Sequence, residues 1–437
     1  MKHLSLARSA DGVVQAIEWR VNQGETTMNE GKLVDVRPWM VFGAALLVMF
    51  FRMPDRFLEG FLWAEDGPRM IQETVDLGRR NLFAVLPGYA VLLPKLIAYV
   101  TLKFLPVKFV AWAFVWTTAA VWAGFQTYVF TVFQRFDASP RGTLAALAIV
   151  LFPVLAPHAG EVFLNLANLQ WLVFPPLAAA LWSAFSEDEP KHPAWLGVLI
   201  FILTSTGPFG VLMAPFVVLL IVERRRIYAY RSRAGLVAAF AIPAAFQAFS
   251  MLRFGQKHAQ PLVDLAWLSE YFTHVVADQF LTSRLSGMLP HPQVAGFLIF
   301  ATLVICIMTT RTRWAAMSAI AFSTVVWVTA FAKVNDPDLH LFYDGNGSRY
   351  LYASSVAMFS AAALTWLEAR HKSVRVVASV LSALILLTGL TTFVIPPQTA
   401  HWSYWTYGDT EMIIVPPAVP VDKMPWHATL HLGRDTP

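Results

Sequence analysis

The sequence predicts an all-α fold: a polytopic transmembrane helix bundle of about 11 spans. Composition is the first reason. Of 437 residues, 57% are hydrophobic and only 14% charged, with a mean hydropathy of +0.53. A soluble domain carries about 25% charged residues, so this chain has too few to clothe a water-facing surface. The length of the apolar runs is the second. It excludes an outer-membrane barrel, whose strands alternate over about ten residues. The third is the gathering of Lys and Arg into short loops between those runs. The 16 Trp and 33 Phe fit the same class, because aromatic rings collect at bilayer interfaces.

Taken in order, residues 1–38 are polar and mixed in charge, a cytoplasmic tail with no apolar h-region of a signal peptide. Met28 is a second candidate start. The bundle occupies 39–394, with spans at 39–52, 107–133, 142–156, 170–186, 194–222, 234–252, 294–310, 314–332, 350–367 and 376–394. Two segments need separate treatment. Residues 82–105 carry Pro87, Pro94 and Pro106 with Lys95 and Lys103, so they are expected to lie in the interface or re-enter. Residues 194–222 are broken by Thr-Ser-Thr-Gly-Pro at 204–208, which predicts two short helices meeting at a bend.

The positive-inside rule tests this threading. With 82–105 not crossing and 194–222 a hairpin, the loops 134–141, 187–193, 223–233, 311–313 and 368–375 all face the cytoplasm and hold 13 Lys or Arg in 37 residues. The opposite segments 53–106, 157–169, 253–293, 333–349 and 395–437 hold 13 in 168. Eight of the 11 His and 17 of the 28 carboxylates also fall on that outer side. Chemistry is therefore expected outside. The Pro-rich, aromatic tail 395–437 would be a small external cap or lid.

The single Cys306 excludes an intrachain disulfide. The charge of +5 does not point to nucleic acid, since the basic residues follow topology rather than one soluble face. Walker A, Rossmann and nucleophile-elbow patterns are absent, and the His are scattered apart from His427 and His431 in the tail. No dedicated metal site is expected, and a divalent cation held by loop carboxylates stays open.

Four strings carry polar chemistry. In FLWAEDGPRM (61–70), Glu65 and Asp66 follow the first span. A carboxylate there suits a general base towards a hydroxyl, and equally an acidic cap on an interfacial helix over 69–80. HAGEVFLNLANLQW (158–171) packs His158, Glu161, Asn165, Asn168, Gln170 and Trp171 between two spans. Amides and indole suit a sugar; the plainer reading is a loop that satisfies its own backbone.

TSTGPFG (204–210), with Thr206, breaks a helix at depth, either to line a cavity or as a packing kink. FYDGNGSRYLY (342–352) sets Arg349 beside Tyr343 and Tyr350, where an arginine binds phosphate or snorkels to lipid headgroups. Loop 253–293 is expected to hold an amphipathic helix over 263–280, with Lys257, His258, His274, Asp278, Arg284 and His291 as weaker substrate contacts.

In this order, WAEDG, the GY…LLPKLIA segment (88–98), GEVFLNLANLQW, TGPFG and SRY resemble a bacterial family of GT-C type membrane glycosyltransferases, over roughly residues 39–367. The resemblance implies a GT-C-like helix bundle with external interfacial helices, set in the bacterial inner membrane with its active site on the periplasmic face. It implies a polyprenyl-phosphate-linked sugar donor, a glycan or lipid acceptor, inverting transfer and no nucleic acid. The catalytic base would be Asp66, with Glu65 as its substitute. Arg349 would hold the lipid phosphate, and His158 and Glu161 would line the pocket. Where many members carry a large soluble C-terminal domain, 43 residues follow the last span here. An O-antigen polymerase or ligase, a lipid-glycan flippase and a non-enzymatic subunit are the rival readings. The flippase is disfavoured by spans nearly free of charge.

Overall fold

The computed structural model describes residues 36–63, 65–86, 88–157, 159–186, 190, 192–223, 231–255, 265–310, 313–334 and 348–393, with strands at 403–407, 411–415 and 430–431. The protein is mostly helical. Among the described residues, four helical segments are long and apolar enough to cross a membrane: Val107–Phe136, Arg233–Phe254, Arg349–Glu368 and Lys372–Thr391. Shorter helices stand at the other expected spans, Phe174–Ser186 among them.

Proline opens several helices at the first position, where its missing N–H costs nothing. These include α1 (Pro38–Arg52) and α2 (Pro54–Glu59). Then follow a π-helical turn (Asp66–Gln72), α3 (Glu73–Leu77), a 3-10 turn (Gly78–Phe83), a hairpin of β1 (Val85–Leu86) and β2 (Tyr89–Ala90), and α4 (Leu92–Phe104). At 13 residues α4 reaches about 20 Å and carries the buried Lys95 in its first turns. The expected helix over 69–80 is thus three short pieces. Asp66 does not cap them, because its carboxylate turns back and away.

The bundle continues with α5 (Val110–Phe136), α6 (Pro140–Leu155) and α7 (Phe174–Ser186). Ser139 caps α6 by accepting from the Gly142 N–H at 3.1 Å. The expected bend in 194–222 is present: α8 (Pro193–Thr204) stops and α9 (Phe209–Glu223) restarts. Next come α10 (Arg231–Phe254), α11 (Leu265–Glu270), a second π-helical turn (Tyr271–Ala277) and α12 (Asp278–Ser286). The described part of 263–280 is more buried than a surface helix, with Tyr271, Val275, Val276 and Phe280 all in the core. Its close partner is α13 (Pro292–Met308), where a Cβ on Gly296 would collide with the Phe272 carbonyl.

The last helices are α14 (Arg313–Val334), α15 (Ser348–Glu368) and α16 (Lys372–Thr391). The apolar window of α15 is 78% buried against 28% in α10 and α16, so α15 is the axis around which the others pack. Phe359 of α15 stacks on Phe152 of α6 at 4.0 Å, and Phe322 of α14 stacks on Phe174 of α7 at 3.8 Å. Large apolar side chains such as Leu47, Phe51, Phe246, Leu252, Phe297 and Leu387 face outward, as a lipid-facing surface requires. Strands occur in the tail, a departure from a purely helical class. There β3 (Ser403–Tyr407), β4 (Glu411–Val415) and β5 (Leu430–His431) form an antiparallel sheet. Its backbone lies beside Val107–Phe109 and, through β5, beside Asp66–Gln72.

Arg52 gathers one end of the bundle. Buried at the C-terminus of α1, it donates to the carbonyls of Val154, Ala156 (3.0 Å) and Phe393 (3.1 Å). These carbonyls lie at the C-terminal ends of α6 and α16, so one cation sits on the negative poles of several helices. Replacement by Gln is expected to leave orphaned carbonyls and cost about 3 kcal/mol. Thermal unfolding of the purified protein in detergent measures that loss.

Candidate functional site

Segments far apart in sequence meet at the end of the bundle that Arg52 gathers. The loop 159–172 lies at its centre, almost wholly buried and mostly irregular in backbone. Such a loop needs partners for its peptide groups, and charged side chains supply several. Asp66 accepts the Ala167 N–H on Oδ1 and the Trp63 N–H on Oδ2, both at 2.8 Å. Arg56 of α2 donates to the Phe163 carbonyl. Glu161 receives the Arg349 backbone N–H at 3.1 Å and its Nη1 at 3.2 Å, and thereby caps the start of the α15 apolar stretch.

The helix break joins the same cluster. Gly207 donates to the Ala90 carbonyl at 2.9 Å, and Leu92 donates to the Ser205 carbonyl at 3.1 Å. Gly207 has φ +89°, and a Cβ there would come within 3.0 Å of Gln170 Oε1. Glycine is therefore required both by conformation and by space. On the other side of β2, the Gln247 amide both donates to and accepts from the Ala90 backbone, at 2.9 and 2.8 Å.

The residues that keep open polar atoms define the face of the site. Glu65, 23% exposed, lies 3.6 Å from Arg349 Nη1 through Oε1 and leaves Oε2 without a partner. Gln170 Oε1 and Trp171 Nε1 are likewise buried and unpartnered. Gln170 Nε2 reaches the Tyr89 hydroxyl at 3.5 Å, and Trp171 stands edge-on to Tyr350 at 5.0 Å. A carboxylate, an amide oxygen and an indole N–H beside aromatic rings match the hydroxyls and apolar face of a sugar.

No family model matches the chain. Neither a curated protein nor a solved structure matches it either. The reading of this site therefore stands on its own geometry.

That geometry redistributes the expected roles. Asp66 is 0% exposed with both oxygens engaged, the arrangement of a clamp rather than of a base open to substrate. Its neighbour Glu65 is the carboxylate with an open oxygen. Asn165 and Asn168 serve the loop itself: both side-chain amides donate to the Glu161 carbonyl, and the Asn168 N–H donates to Asn165 Oδ1. They are hence withdrawn as sugar contacts. Thr206 is also withdrawn, since its hydroxyl donates to the Ile202 carbonyl and accepts from the Leu93 N–H.

Arg349 is held by two glutamates, and an incoming phosphate would have to compete with both. His158, Tyr343, Lys257 and His258 lie outside the described residues. His274 is gripped at 2.9 Å by Glu270 and at 2.7 Å by Asp278, which leaves neither His274 nor Asp278 aimed at a ligand. Arg284, in the last turn of α12, and His291, before α13, are exposed. Among the described residues no group of three or more His, Cys, Asp or Glu side chains could hold a metal ion. Sequence reasoning missed Arg52, Arg56, Tyr89 and Gln247. The first two carried one signal, a pair of arginines spaced i, i+4 around a proline at the end of an apolar span.

Burial pushes the Asp66 carboxyl up from 3.8 to about 7, against the two backbone N–H groups that favour its ionised form. The folded chain then keeps a proton that the unfolded chain has released. Stability is expected to fall as pH rises from 3.8 to about 7 and to level off above that. Melting curves across this range test it, and Asp66→Asn should remove that part of the slope. For His274, burial opposes the charge, but hydrogen bonds to Asp278 and Glu270 outweigh it and raise the pKa from 6.5 to about 9. Its contribution is full below pH 6.5 and lost as pH rises to about 9, so His274→Gln should flatten the curve there.

Proposed function

We propose that the chain is a membrane glycosyltransferase of GT-C type, which moves a sugar from a polyprenyl-phosphate donor to a glycan or lipid acceptor on the outer face. One observation carries the reading: the WAEDG, GY, ANLQW, TGPFG and SRY strings, separate in sequence, converge on one polar cluster in an apolar bundle. Such a polar concentration at one end is what a reaction at a membrane surface needs. A route across the bundle, as in a flippase, would require polar groups at several depths.

The threading of about eleven crossings has independent support. Eleven apolar helices (α1, α5–α10 and α13–α16) coincide with the expected spans once 194–222 is divided. The bend at 205–208 touches β2 and Gln170, which fits a hairpin whose tip lies on the same side as 53–106 and 157–169. The chain would then sit in the bacterial inner membrane with this cluster facing the periplasm.

In the reaction, Glu65 takes the proton of the acceptor hydroxyl as that oxygen attacks C1 of the donor sugar, and the phosphate leaves from the opposite face. The anomeric centre inverts. Arg349 stands beside Glu65 at 3.6 Å, and Asp66 is the positioning residue that locks the Glu65 turn to the loop 159–172. Gln170, Trp171 and Tyr89 contact the sugar. An acidic residue after the first span is thus retained as base, with the order within the pair exchanged.

The test pairs two variants and an assay with a polyprenyl-phosphate sugar. Glu65→Gln should insert, melt like the parent and lose transfer by roughly 10²–10⁴-fold. Asp66→Asn should alter the melting profile as well as the rate. Near-parental turnover by Glu65→Gln would sink the reading.

A further inference from the structure

One buried cation of this end of the bundle is left with most of its hydrogen bonds unmade. Arg56, on the six-residue α2, is 3% exposed. Its guanidinium lies over the Phe61 ring with Cζ 3.5 Å from the centroid, and its Nη1 donates to the Phe163 carbonyl. Among the described residues Nε and Nη2 have no hydrogen-bond partner. Together these two atoms form the side-on edge of the guanidinium, whose parallel N–H groups match two oxygens of one oxyanion.

The protein's own carboxylates do not fill this edge. Asp66 is the acidic group whose field Arg56 feels most, yet both its oxygens are held by Trp63 and Ala167. Glu65 and Glu161 are engaged with Arg349. Phe51 and Leu58, before and after Arg56 in the chain, are apolar and 69% exposed. In surroundings that face lipid, the oxyanion most available is phosphate, on a headgroup or free.

We propose that the Nε–Nη2 edge of Arg56 is a seat for a phosphate oxyanion. The arginine that the sequence singled out, Arg349, is committed to glutamates, whereas Arg56 offers a bidentate edge already dehydrated and stacked. The seat stands whether or not the chain transfers sugar, because binding alone reads it.

The experiment titrates the purified protein in detergent with inorganic phosphate and, separately, with farnesyl phosphate, using farnesol as the phosphate-free control. Calorimetry or phosphorus NMR gives the affinity. Farnesyl phosphate should bind at least about tenfold tighter than farnesol, and Arg56→Lys, which keeps the charge and loses the edge, should weaken it about tenfold. Arg349→Lys should weaken it less. Binding of both phosphates marks a seat for the free anion, and binding of the farnesyl compound alone marks a lipid phosphate.

An affinity unchanged in Arg56→Lys, or equal for farnesol, overturns the proposal. Should Arg56→Lys fail to fold, a structure of the unmodified protein with farnesyl phosphate decides. Phosphate density against Nε and Nη2 supports the seat, and density elsewhere overturns it.

Discussion

Irregular backbone cannot lie among apolar helices unless its peptide groups find partners, and much of this molecule's polar inventory at one end is spent on that requirement. The segment 159–172 is bound by Asp66 at Ala167, by Arg56 at Phe163 and by Arg349 through Glu161. Arg52 holds the end of α6 that precedes it and the end of α16. Each of these contacts joins elements about a hundred or more residues apart. They stabilise a loop that no local pattern would keep in place, and Leu164 in left-handed backbone (φ 53°) shows how far its course is dictated from outside.

A consequence is a division of labour between neighbouring residues. Asp66 and Glu65 are adjacent, yet one is a fully engaged clamp and the other keeps an oxygen open. The same split separates Asn165 and Asn168, turned onto the Glu161 carbonyl, from Gln170 and Trp171, whose Oε1 and Nε1 have no hydrogen-bond partner among the described residues. Buried polar atoms without partners are uncommon in native proteins, and a group of them in one place is where a ligand is expected to supply the missing bonds. The buried Lys95 shows the contrary case. Its Nζ is satisfied by Glu73 at 3.2 Å and the Ala84 carbonyl at 2.9 Å, and it ties the short pieces after Asp66 to α4.

The helix break illustrates how fold and site are one construction. Gly207 gives its N–H to β2 and its empty side to Gln170, while Thr206 closes its own helix turn and steadies the start of α4. The sequence signalled the break through Thr-Gly-Pro but not the element that meets it. Equally, the i, i+4 spacing of Arg52 and Arg56 was visible, but their acceptors, the carbonyls of residues 154, 156, 163 and 393, carry no side-chain signature at all.

By itself the sequence determined the helical class, the positions of the apolar helices, the bend in 194–222 and the strings in which polar chemistry is concentrated. These are properties of composition and period, which act within one segment and need no knowledge of its neighbours. Which member of each string faces outward was decided only by tertiary structure. Asp66 and Asn165 are as polar as Glu65 and Gln170. Partners from distant helices, and the irregular turns that aim each side chain, separate the residues consumed in holding the loop from those that keep an unpaired polar atom.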